Sequence, residues 1–134
     1  MTKAFISGCA GLCLTSAEID FFGSEDPWGL ILFRRNCDTP EQVSDLVSSF
    51  RQTVGRPDAP VLIDQEGGRV SRTREIGTEP PSAEELRKKG DMGMIARHGL
   101  ITADLLRLLG FNMNFAPVLD ISYDDEADNA LRGR

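Results

Sequence analysis

Four short apolar runs, each ending in a polar or Gly-rich turn and followed by helical periodicity, set the rhythm of this chain. Ala4-Phe5-Ile6 comes first and ends in the small segment Ser7-Gly8-Cys9-Ala10-Gly11. Trp28-Gly-Leu-Ile-Leu-Phe33 is near-continuously apolar, as in a strand buried on both faces, and stops at Arg34-Arg35-Asn36. Val61-Leu62-Ile63 follows Pro60 and stops abruptly at Asp64. Residues 111–120 read as a fourth strand, with polar Asn112 and Asn114 alternating inside it and Pro117 ending its regular pairing.

Between these runs a helical period of 3.6 takes over. Thr15 with Glu18 makes a capping box ahead of Ile19, Phe21 and Phe22. Thr39-Pro40-Glu41-Gln42 starts a second helix, with a cap, a proline in the first turn and Gln at the third position. Val43, Leu46, Val47 and Phe50 then form one apolar stripe. Ser82 and Glu85 begin a short, charged helix, and a longer one runs from near Asp91 through Ile95, Leu100, Ile101, Leu105 and Leu108 to a C-terminal Gly110. Strands alternating with helices predict an α/β fold of βαβ units on a parallel sheet. Four such strands fit half of an eight-stranded barrel or a small open doubly wound domain. In both, ligands gather at the carboxyl ends of the strands. Arg35, Asn36, Asp64, Arg72 and Asp120 all follow such ends.

Composition narrows the partners. The 134 residues make about one small domain, and 40% hydrophobic with 27% charged residues is ordinary for a globular chain. A net charge of -6, with no basic run longer than Arg87-Lys88-Lys89, argues against nucleic acid or an anionic membrane as partner. Cys9, Cys13 and Cys37 form no CxxC, and no apolar run approaches the roughly 18–20 residues of a membrane span. A cytoplasmic protein with reduced thiols and no metal site is the expectation.

The segment 61–70 carries the richest chemistry. Gly67 and Gly68 allow a tight turn and a close backbone approach to a ligand. Around them stand the carboxylates Asp64 and Glu66 and the guanidinium groups of Arg69 and Arg72. Carboxylate acceptors and rigid Arg donors suit a hydroxyl-rich ligand, although a solvated turn stitched by local ion pairs would use the same residues.

Three blocks together resemble a known family. Gly29-Leu-Ile-Leu-Phe-Arg-Arg-Asn36, Ile63-Asp-Gln-Glu-Gly-Gly-Arg-Val70 followed by Arg72, and Asn114-Phe-Ala-Pro-Val-Leu-Asp120 are similar, in order and spacing, to the bacterial β-N-acetylhexosaminidases of glycoside hydrolase family 3. The resemblance spans about residues 5–134. It implies residues 1–134 to be the N-terminal portion of a (β/α)8 catalytic barrel. The implied enzyme is cytoplasmic and needs no cofactor. It removes terminal β-linked N-acetylglucosamine, typically from peptidoglycan fragments in cell-wall recycling, with retention through a covalent intermediate. By the same resemblance Asp64 and Arg72 bind the sugar, Arg134 matches a third binding residue in a loop one residue shorter than the family's, and Glu66 and Arg69 support the loop.

The family's Lys-His sugar-binding pair, catalytic His and nucleophilic Asp all come later than the Arg134 equivalent, and a full barrel takes about 250 residues. The chain is therefore expected to supply sugar-binding but no catalytic residues, and to associate with a further segment of the same barrel. His98, the sole histidine, is read as a helix-surface residue. An alternative is a non-catalytic carbohydrate-binding or interaction protein built on a shortened barrel.

Overall fold

The computed structural model describes residues 1–120 and Tyr123. Arg134, Asp124 and Asp125 lie outside the described residues. The elements follow the predicted alternation: β1 (Lys3–Ser7), α1 (Ser16–Glu25), β2 (Pro27–Leu32), a 3-10 turn (Arg34–Asn36), α2 (Pro40–Thr53), β3 (Val61–Ile63), α3 (Ala83–Lys89), α4 (Met92–Leu108) and β4 (Met113–Asn114).

All neighbouring strands pair in parallel, in the order β1-β2-β3-β4. A doubly wound sheet reverses its strand order at a switch point and carries helices on both faces. A one-way order joined by right-handed crossovers instead puts every helix on one face, which is the arc of a (β/α)8 barrel. The open doubly wound alternative is thereby set aside.

Alternation along the strands sorts the side chains. Leu30, Leu32, Val61 and Ile63 face the helices and pack with Phe22 of α1, with Val43, Leu46, Val47 and Phe50 of α2, and with Leu106, Leu109 and Phe111. The rings of Phe22 and Phe50 meet edge to face, 5.4 Å apart, where α1 crosses α2. Leu62 is equally buried but stands outside this cluster, on the inner face. Gly29 makes room for it, since a Cβ there would lie 2.9 Å from Leu62 Cδ1. The inner face continues through Ile31 and Phe33, both half-buried. Leu30 and Leu32 are thus sealed against the helices while Ile31 and Phe33 stay half-buried on the inner face, rather than the whole run being buried on both faces as its apolar character suggested.

Helix starts behave as their residues dictate. At α1 the Thr15 hydroxyl accepts from the Glu18 N–H (3.2 Å) while the Glu18 carboxylate accepts from the Thr15 N–H (2.8 Å). Ser82 and Glu85 repeat the exchange at α3. At α2 Thr39 caps Gln42, but the Gln42 side chain turns away from Thr39. It accepts from the Asp38 N–H (3.0 Å) and donates to the Leu12 carbonyl (2.6 Å), tying the β1–α1 loop to α2. Helix α4 ends at Leu108, and Gly110 just beyond it adopts a left-handed φ of 92°. The fourth strand is only two residues long, against the ten-residue stretch expected. Pairing ceases before Pro117, and the Ala116–Pro117 bond is cis.

Candidate functional site

Asp64 is the first residue past β3 and shares its face with Leu62, so the pleat turns it toward the inner side of the arc. Arg72 returns from the far side of the loop and donates from Nη2 to Asp64 Oδ2 at 3.1 Å. Both side chains are about a quarter exposed, 27% for Arg72 and 24% for Asp64, so the pair is open at a rim rather than sealed in the core. Phe33, at the end of β2, lies beneath: the guanidinium carbons of Arg35 and Arg72 are 4.8 and 6.0 Å from its ring centroid. Arg72 Nε is buried and, among the described residues, has no hydrogen-bond partner. A carboxylate acceptor and a guanidinium fork seated over an aromatic ring can hold a polyhydroxylated ring by its hydroxyls.

The loop between the two residues folds on itself. Gly67 and Val70 form an antiparallel bridge, and the N–H groups of Glu66 and Gly67 both donate to the Val70 carbonyl. Gly67 and Gly68 have φ of 100° and 52°. A Cβ on Gly67 would sit 2.1 Å from the Pro81 carbonyl oxygen, and one on Gly68 2.7 Å from Ser82 Cβ. The glycines therefore let the loop pack on residues 80–82 of its own chain; their close approach is to the protein rather than to a ligand. Arg74 closes the turn by donating to the carbonyls of Ser71, Gly68 and Arg69 and by pairing with Glu79 at 3.1 Å. Nothing in the sequence distinguished it from the other arginines of this segment. Glu66 is half-buried and Arg69 exposed, and both make contacts within the chain.

Other residues past strand ends divide by role. Asn36 is fully buried: Nδ2 donates to the carbonyls of Cys9 (3.2 Å) and Gly11 (2.8 Å), and Oδ1 accepts from the Phe33 N–H (2.9 Å). Arg35 donates to the same Cys9 carbonyl. Together they fasten the β1 loop to the end of β2. Asp120 is exposed. Burial pushes the thiols of Cys9 and Cys37 up to about 11, while Cys13 is exposed; all three are free cysteines. Among the described residues no group of His, Cys, Asp and Glu is placed to hold a metal ion, and no helix is long and apolar enough to cross a membrane.

A cavity of about 630 Å³ opens beside the site and does not coincide with it. Its walls include Gln65, Glu66, Leu86, His98, Leu106 and Pro117. Gln65 follows Asp64 and so points the opposite way, toward the helix layer, which explains why this hollow and the Asp64–Arg72 pair occupy opposite sides of the sheet. His98 forms part of the cavity wall on α4 and is half-buried, rather than standing free on the helix surface.

Comparison with known proteins places this geometry in a family. The sequence profile of the "Glycosyl hydrolase family 3 N terminal domain" matches residues 26–133. A β-hexosaminidase of Methylococcus capsulatus is 41% identical over 111 residues, covering 81% of this chain and 33% of its own. One from Pseudomonas aeruginosa is 33% identical over 128 residues, covering 95% of this chain and 38% of its own. The chain thus spans about a third of the length of these relatives. Among solved structures, a family 3 β-N-acetylglucosaminidase from Paenibacillus sp. superposes with a TM-score of 0.80 at 35% identity, over 87% of this chain and 23% of that one. NagZ from Neisseria gonorrhoeae, in complex with N-trifluoroacetyl-D-glucosamine, gives 0.78 at 28% identity, over 91% of this chain and 38% of that one. Profile, relatives and fold agree that the chain belongs to glycosyl hydrolase family 3, where it matches the family's N-terminal domain.

Proposed function

We propose that this chain is the sugar-holding part of a retaining β-N-acetylhexosaminidase, in which Asp64 accepts from ring hydroxyls of a terminal N-acetylglucosamine and Arg72 donates to them. The observation that carries the reading is the Asp64–Arg72 pair at the open carboxyl end of β3, within a motif belonging to a family of glycosidases. In this reading Phe33 supports Arg72 from below, Arg134 adds a third contact, and Glu66 and Arg69 hold the loop. The bond-breaking His and Asp come from sequence beyond these residues, so hydrolysis belongs to a barrel that joins this segment to them. The solved relative carrying an N-acyl glucosamine supports the substrate class. Peptidoglycan fragments in a cytoplasmic recycling route are the proposed natural substrates. Three free thiols suit that reducing compartment, and recovery of the protein from an extracytoplasmic fraction would contradict it.

Turnover of an aryl β-N-acetylglucosaminide, measured on the protein as encoded and on residues 1–134 alone, tests the proposal. The former should be active and the latter inactive. In the active form Asp64→Ala should lower kcat/KM by about 2–4 kcal/mol of transition-state stabilisation, the scale of a lost charged hydrogen-bond partner. Unchanged kinetics in that variant would remove Asp64 from the site. Saturable sugar binding with no turnover by the protein as encoded would favour the non-catalytic alternative.

A further inference from the structure

Gln65 lies between two members of the charged cluster, yet it is only 2% exposed. Its amide spans the neck of the loop. Oε1 accepts from the backbone N–H of Arg72 (2.8 Å) and of Thr73 (3.3 Å), and Nε2 donates to Ser71 Oγ (3.0 Å). Ser71 and Thr73 are buried with it. The main chain of Gln65 is gripped in turn by Asn114 at the end of β4: Oδ1 accepts from the Gln65 N–H (2.9 Å) and Nδ2 donates to the Gln65 carbonyl (3.1 Å). A chain of hydrogen bonds thus runs from β4 through Gln65 to the backbone of Arg72, while Asp64 is bonded covalently to Gln65.

We propose that Gln65 is a positioning residue that sets the spacing of the Asp64 carboxylate and the Arg72 guanidinium, with Asn114 as its anchor on the neighbouring strand. The proposal rests on the sugar-holding reading of Asp64 and Arg72. Those groups stand eight residues apart on a loop that contains two glycines, and a freely hinged loop would have to be ordered by the ligand at a cost in affinity. Side-chain amides hydrogen-bonded to the loop's backbone reduce that cost by holding the loop before the ligand arrives. Because Gln65 points to the helix side, it acts through Arg72 and Asp64 rather than on the sugar.

The test is kinetic, on the protein as encoded. Gln65→Met keeps the volume and deletes both hydrogen-bonding atoms; it should raise KM for an aryl β-N-acetylglucosaminide about tenfold and leave kcat within about twofold, the pattern of lost uniform binding. Gln65→Glu keeps acceptor oxygens for the Arg72 and Thr73 N–H groups, and the Ser71 hydroxyl can turn to donate to it, so it should restore most of the affinity. A folded Gln65→Met with unchanged KM, beside an Asp64→Ala variant whose KM rises, overturns the proposal. If Asp64→Ala also leaves KM unchanged, the sugar-holding reading is what fails, and the clamp is judged by amide hydrogen exchange. Arg72 and Thr73 amides should exchange slowly in the wild type and at least about tenfold faster in Gln65→Met. Should Gln65→Met fail to fold, the wild type alone decides: protected amides at both positions support the clamp, and rapid exchange at them overturns it.

Discussion

At Gly67 one hydrogen in place of a methyl group decides whether the loop closes. Its φ of 100° is a conformation that side chains disfavour, and a Cβ would collide with the Pro81 carbonyl oxygen, a backbone atom that cannot rotate away. Gly67→Ala should therefore cost about 3 kcal/mol or more, combining left-handed strain with a backbone clash. Gly55 supplies the control. Its φ is also positive, at 65°, but no atom lies within 4 Å of a Cβ built there. Gly55→Ala should lose only about 1 kcal/mol, the strain alone. Urea unfolding midpoints of the two variants separate the contributions, and equal losses would show that the Pro81 contact carries no weight. The same position shows why residue-level reading goes astray. A Gly pair beside two carboxylates suggests a ligand-facing turn, and only the position of residues 80–82 reveals that the turn faces its own chain.

At the scale of elements, legibility follows the range of the interaction that builds each one. Helix starts were readable because the caps from Thr15 to Glu18, Thr39 to Gln42 and Ser82 to Glu85 are each made within three residues. Strands β1 to β3 were readable as short apolar runs, the first ending in a small Gly-rich segment and the next two in charged residues. The fourth was overextended, because its geometry is set by distant partners. Asn112 Oδ1 accepts from the Val61 N–H (2.7 Å) and Asn114 holds Gln65, across 51 and 49 residues of sequence. Their alternation is therefore a set of side-chain clasps on β3 and the loops beside it, and it does not mark a long strand. Asp64 and Arg72 could be singled out from the motif, whereas Gln65, Asn114 and Arg74, which hold the site together, carry no local signature. The capping box of α3 permits a direct check. Ser82→Ala removes the acceptor for the Glu85 N–H and should destabilise the domain by about 1 kcal/mol, with Ser82→Asp recovering part of it. Thermal unfolding of the three proteins measures this, and an unchanged midpoint for Ser82→Ala would show that α3 is held by Leu86 and its neighbours instead.

For the whole molecule, the one-way order of parallel strands has an energetic consequence. An arc has two sheet edges, here β1 and β4, whose outer backbone groups have no strand beside them among the described residues. It also has an inner face that only an opposing set of strands can cover. Ile6 at one edge and Met113 at the other are 39% and 37% exposed, and Phe115 just past β4 is 47% exposed. On the helix layer Leu100, Ile101 and Leu108 of α4 are exposed as well, although their spacing marks them as one apolar side. Such edges and patches are templates for association. Residues 1–134 prepared alone should therefore self-associate at micromolar concentration and bind a hydrophobic dye, whereas the complete barrel of a longer relative should do neither. Charges placed on the edges, Ile6→Lys with Met113→Lys, should reduce both effects if the arc is their source, since an edge lysine blocks strand addition and breaks the apolar surface. Light scattering across a concentration series reads the outcome. A monodisperse 14.7 kDa species that leaves the dye dark would show that the arc is sealed by its own residues, and that four strands of this barrel stand alone.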